Sequence, residues 1–161
     1  MTFKELLNKD AIFLDIEEKN HDDVLLAISK RLQEKGFVED AQRFDNALMY
    51  REELMSTCLN DGMAIPHGVS STVIKPVISI AVLKNSVDWK AEDKEPVSLV
   101  FTIALSKEDR DLQISSVQIL SLYSLDDEFH VKVLGAKTQE DVYQILLDHY
   151  PEEFICSFLN D

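Results

Sequence analysis

At 161 residues, with 45% hydrophobic side chains and few Gly or Pro, the chain is long enough to bury a real core as one domain spanning 1–161. Its formal net charge of −14 speaks against nucleic acid and against an anionic membrane surface, since both ask for concentrated positive charge. It suits a protein partner with a basic face. No apolar run approaches the roughly 20 residues that span a bilayer, and Met1-Thr2-Phe3-Lys4-Glu5 lacks the basic-then-apolar order of a secretion signal. A cytoplasmic protein without membrane insertion is expected. Cys58 and Cys156 lie far apart without ligand spacing, so they read as thiols, with Cys58 a small packing residue rather than a redox centre.

In chain order, residues 11–16 are rich in β-forming side chains and predict a first strand. Asn20 followed by Asp23 is a helix start, Val24, Leu25, Ile28 and Leu32 repeat at helical spacing, and Gly36 marks the stop. A second helix is predicted over about 39–53, with Ala41, Phe44, Leu48 and Arg51 near one face. Residues 54–72 read as a loop. Residues 77–83 are apolar apart from Ser79 and predict a strand covered on both faces; 97–105 predict a second such strand. The polar connection between them holds Trp89, expected in the core. Leu112, Ile114, Val117, Leu120, Leu122 and Tyr123 suggest a helix on the sheet, followed by a shorter one over 127–134. A last helix is capped by Thr138, with Val142, Ile145, Leu146 and His149 inward, and Pro151 discourages its continuation. Phe154, Ile155 and Phe158 give the tail an apolar side that could dock. Strands and helices in this arrangement predict a layered α/β sandwich, a central mixed sheet with helices on both faces.

The loop holds the chemistry. In Asp61-Gly62-Met63-Ala64-Ile65-Pro66-His67-Gly68, Pro66 fixes its own φ and pushes Ile65 towards extended backbone. Gly68 permits a sharp turn or a close approach to the backbone. His67 is thus delivered where an apolar run ends. Imidazole is nucleophilic and largely neutral near pH 7, so it can accept an acyl or phosphoryl group. A histidine that only packs and bonds locally would fit the same spacing. On charge alone Arg51 reads first as a solvated helix-end cation, in ion pairs along the helix or on its last carbonyls. Ser56, Thr57, Ser70, Ser71 and Thr72 offer hydroxyls to an anion or to turns. Glu52, Glu53 and Asp61 read as a solvated acidic rim facing a basic partner, in preference to an acid/base pair. His21, His130 and His149 read as structural, and no His or Cys spacing suggests a metal or cofactor.

The whole run from Arg51 to Gly68 resembles the active-site signature of the fructose/mannitol-type enzyme IIA domains of the bacterial phosphoenolpyruvate-dependent sugar phosphotransferase system. Val87-Asp88-Trp89 and Pro96-Val97-Ser98-Leu99-Val100-Phe101 resemble that family's downstream strand pair, and the likeness covers about residues 5–150. The resemblance implies a phosphocarrier. It would make His67 the acceptor of a phosphoryl group from phospho-HPr, as a tele-phosphohistidine, for delivery to an enzyme IIB. The residues themselves leave the ring nitrogen open. It would make Arg51 the stabiliser of phosphate charge, with Thr57 a weaker candidate. Asp111 falls where the mannitol and fructose members carry a second histidine, which favours a galactitol-like member. A regulatory protein of the nitrogen-related branch would share the same site. An interaction module without phosphoryl chemistry is the other alternative, expected to show His67 buried with both ring nitrogens engaged.

Overall fold

The structure, a computed structural model, describes residues 1–91 and 95–153. The expectation of a docking tail at Phe154, Ile155 and Phe158 lies outside the described residues. A short helix α1 (Phe3–Leu6) leads into strand β1 (Leu7–Ile16). Helices α2 (His21–Glu34) and α3 (Ala41–Leu54) follow, then two brief strands, β2 (Met63–Ala64) and β3 (His67–Val69). The long strands β4 (Val77–Val87) and β5 (Val97–Leu105) form a hairpin, and α4 (Asp111–Tyr123), α5 (Asp127–Leu134) and α6 (Gln139–Asp148) complete the order.

The sheet runs β1-β4-β5-β2, with β3 also on β5. It is mixed: β1 is parallel to β4, β4 antiparallel to β5, and β2 and β3 both parallel to β5. The side chains alternate across it as strand geometry requires. Phe13, Ala81, Val100 and Ala104 face a core shared with Val24, Leu25, Ile28 and Leu32 of α2 and Phe44 and Leu48 of α3. Ile12, Ile78, Ile80, Phe101 and Ile103 face the opposite core, with Leu120, Tyr123, Phe129, Val142 and Leu146 of the C-terminal helices. The layered sandwich expected from the sequence is what forms.

Local signals held where they were strong. Asn20 accepts from the Asp23 amide and Thr138 from the Asp141 amide, each removing an orphan donor at a helix start. Trp89 is buried in the α2–α3 side of the core. Three expectations are corrected. β1 begins at Leu7, because Leu7 already pairs with Ile78 and the exposed residues Lys9 and Asp10 fall in a register shift before Ile12 pairs with Ile80. β4 continues to Val87, where it pairs with Val97, although Lys84, Asn85 and Ser86 are exposed. Ile114, expected inward, is exposed on α4.

Candidate functional site

Residues 54–72 are not simply a loop. Asn60–Gly62 makes a 3-10 turn in which Asp61 and Gly62 have φ of 63° and 75°. A Cβ on Gly62 would lie 3.0 Å from the Pro96 carbonyl oxygen, so this turn needs glycine for conformation and for space. The chain then runs back along β5, with Met63 opposite Leu99 and His67 opposite Ile103. Between them Pro66 offers no N–H but accepts from the Ile103 amide at 3.0 Å. A proline is tolerated here because β2 and β3 lie at the sheet edge. His67 therefore opens a strand, where the sequence suggested the start of a turn.

Gly68 is where α3 comes closest. A Cβ there would sit 3.2 Å from Phe44 Cε1, 3.3 Å from Ala47 Cβ and 3.4 Å from Leu48 Cδ2. The approach reserved at Gly68 is thus used by the protein's own helix. It brings the last turn of α3 beside β3, and with it Arg51.

The His67 ring is 8% exposed and held at both nitrogens. Nδ1 lies 3.0 Å from the Ile65 carbonyl oxygen. A carbonyl only accepts, so Nδ1 carries the proton and Nε2 the lone pair. Arg51 Nε donates to that lone pair at 3.1 Å. Arg51 Nη1 donates to the Met55 carbonyl at 2.7 Å, closing the end of α3. The helix-end role foreseen for Arg51 therefore coexists, in one side chain, with a contact to the His67 ring. Burial pushes His67 below the ordinary histidine value of 6.5; the Arg51 charge adds to this, while the Ile65 carbonyl and Glu52 oppose it. The ring is neutral at pH 7. A neutral imidazole with a fixed tautomer beside a guanidinium can attack an electrophilic phosphorus through Nε2 and neutralise the oxygens it gains.

Thr57, by contrast, is buried and donates its hydroxyl to Glu52 Oε1, while Trp89 Nε1 donates to that hydroxyl at 3.4 Å. Its backbone carbonyl holds the Ile65 amide at 3.1 Å. The structure thus brings Thr57 to the site through its backbone, its hydroxyl proton being committed elsewhere. Ser70, Ser71 and Thr72 serve the turn: Thr72 Oγ1 accepts from the Asp40 amide and Ser71 Oγ from Arg43. Asp111 is exposed at the start of α4 and is not paired with Arg51.

The sequence reading of Glu52 as part of a solvated rim is overturned. Its side chain is only 5% exposed and lies 3.1 Å from His21 Nε2, itself 3% exposed. Glu53 and Asp61 are exposed as expected. The Ile65 carbonyl and His21 are the participants that the sequence did not reveal. A backbone oxygen leaves no residue-type signal, and His21 lies 31 positions from Glu52.

The family model described as the phosphoenolpyruvate-dependent sugar phosphotransferase system, EIIA 2, matches residues 5–149. The chain belongs to this family. It is 31% identical to the mannitol-specific phosphotransferase enzyme IIA component of Staphylococcus aureus, over 88% of this chain and 94% of that one. It is also 31% identical to the fructose-specific EIIABC component of Bacillus subtilis, over 92% of this chain but 24% of that protein. The chain thus spans about a quarter of the length of such multidomain relatives. Its fold matches enzyme IIAMTL in the Escherichia coli complex with phosphorylated enzyme IIBMTL, with a TM-score of 0.74 at 20% identity, over 89% of this chain and all of that one.

Proposed function

We propose that the chain is a phosphocarrier of the enzyme IIA type, which takes a phosphoryl group from phospho-HPr onto Nε2 of His67 and passes it to an enzyme IIB. The observation that carries this reading is the pair of contacts on the ring: the Ile65 carbonyl on Nδ1 and the Arg51 guanidinium on Nε2. In the first step the Nε2 lone pair attacks phosphorus. An N–P bond forms while the bond to the donor breaks, and its electron pair leaves with the donor. Arg51 releases Nε2 and donates to a phosphoryl oxygen. The proton stays on Nδ1, donated to the Ile65 carbonyl throughout, so the ring needs no proton transfer to act. The step reverses against the acceptor protein. Phosphoryl transfer needs little more than this positioning and charge.

A domain of this kind works at the cytoplasmic side of uptake, and the absence among the described residues of any helix long and apolar enough to cross a membrane agrees with that. For the sugar, a galactitol-type system is supported by Asp111 standing where a second histidine would be expected. The sugars in the relatives' names, fructose and mannitol, are those proteins' own. A regulatory role through phosphorylation of His67 would use the same chemistry.

One observation favours the interaction-module reading: His67 is largely buried and both ring nitrogens are engaged. Phosphoenolpyruvate, enzyme I and HPr, added to the native chain and to His67→Ala, separate the two. Label on the native chain alone supports the phosphocarrier. Label on neither gives the lead to the module, and label on both removes His67 from the role. Discharge by enzyme IIB proteins of the fructose, mannitol and galactitol systems, compared side by side, then tests the sugar.

A further inference from the structure

We propose that His21 is a positioning residue for His67: as an imidazolium it holds the buried Glu52 carboxylate, and through Thr57 and the Ile65 backbone it fixes the orientation of the His67 ring. The kinetic consequence rests on the phosphocarrier reading; the structural coupling does not.

The geometry leaves little choice for the charge of His21. Its Nδ1 lies 2.7 Å from Asp22 Oδ1 and its Nε2 lies 3.1 Å from Glu52 Oε2. A neutral ring has one donor and one acceptor nitrogen, so it would present a lone pair to a carboxylate oxygen. With both carboxyls ionised, only the doubly protonated ring satisfies both. The surroundings are balanced for that charge. Asp22, on the same helix, is also held by Lys90 at 3.0 Å. From α3 come Glu52 and, more distantly, Asp45, whose carboxyl senses both His21 and Asp22. The Trp89 ring stands edge-on to His21 at 4.6 Å between centroids. Burial works against the charge, but the hydrogen bonds to Glu52 and Asp22 outweigh it and hold His21 above its ordinary value. A cavity of about 120 Å³ is bordered by His21, Glu52, Ser56 and Lys90.

The connection to His67 is a chain of single contacts. Glu52 accepts the Thr57 hydroxyl. The Thr57 carbonyl holds the Ile65 amide, and the Ile65 carbonyl holds His67 Nδ1. Glu52 also follows Arg51 directly on α3. With its counter-charge supplied by His21, the carboxylate does not compete for the guanidinium that faces Nε2. Without that charge, a carboxylate 5% exposed is left poorly compensated, and the cheapest relief is movement of Thr57 or of Arg51.

Two titrations should therefore bound the rate of phosphoryl acceptance. Protonation of His67, below 6.5, removes the nucleophile on the acid side. Deprotonation of His21, above 6.5, loosens the ring on the alkaline side. The test follows ring nitrogens by ¹⁵N NMR across pH in the native chain and in His21→Gln, with the rate of labelling by phospho-HPr measured in parallel. Expected are a second inflection in the His67 signals at the His21 midpoint and its loss in His21→Gln. The labelling rate of His21→Gln should drop about tenfold, without an alkaline limb. His67 signals with one inflection in the native chain overturn the proposal, even if His21→Gln fails to fold. So does a folded His21→Gln with native ring signals and a native rate profile. If phospho-HPr labels nothing while the inflections remain coupled, the phosphocarrier reading falls and the positioning role stands.

Discussion

His67 and Arg51 each solve two problems at once, and that sets how they respond to change. Arg51 spends Nη1 on the end of α3 and Nε on the His67 ring. Lysine keeps the charge but has one ammonium for both tasks and no planar fork. Arg51→Lys is therefore expected to cut the rate of phosphoryl acceptance by roughly 100-fold, read by label incorporation at saturating donor. The neutral His67 also ties folding to pH. Its native value lies below 6.5, so the unfolded chain binds more protons between the two. Its contribution to stability is present above 6.5 and is lost as pH falls through the folded value.

Helix α3 carries two features that its position against the sheet makes sensitive. At Gly68 the missing Cβ lets α3 sit close enough for Arg51 to reach His67. Gly68→Ala places a carbon 3.2–3.4 Å from three atoms of that helix, two of them on Ala47 and Leu48. The expected cost is about 1–2 kcal/mol in denaturant unfolding, with a slower rate of labelling because Arg51 moves with the helix. Asp45, also on α3, is 8% exposed, and among the described residues its Oδ1 has no hydrogen-bond partner. Burial, and then the Asp22 charge, push it up to about 6, with His21 opposing. The native state then holds more protons than the unfolded one from about pH 4 to 6, so Asp45 makes stability fall as pH rises through that window. Asp45→Asn is expected to remove this fall, on the order of 2 kcal/mol, when melting is followed from pH 4 to 8. A melting profile unchanged in shape would place the cost elsewhere.

Across the whole molecule the charge of −14 is expected to act on encounter, not on chemistry. A donor that docks through a basic face will be steered at low salt and screened at high salt. The second-order rate of labelling is expected to drop by about tenfold between roughly 0.05 and 0.5 M salt, while the rate at saturation holds. A rate constant flat in salt would mean that the charge serves solubility alone. The sandwich itself supplies the rigid frame for this encounter. Both faces of β5 are covered by helices, and His67 stands on the adjoining edge strand.

Whatever depended on residue type at short range could be read from the sequence: the α2 stripe, the caps at Asn20 and Thr138, and the strand over 97–105. The signature from Arg51 to Gly68 carried the family, and His67 and Arg51 with it. β2 and β3 were not legible, because strands of two and three residues have no period to detect and exist only by pairing with β5. Nor was the burial of Glu52. Its charge argues for solvent, and only the meeting of α2 with α3 supplies the imidazolium that lets it stay inside. The tautomer of His67 was decided by a backbone oxygen, which every residue carries and no sequence distinguishes. The sequence alone singled out His67 and Arg51; the tertiary structure decided which ring nitrogen carries the lone pair and what faces it, because one contact is to a backbone oxygen without residue-type signal and the other reaches across 16 positions.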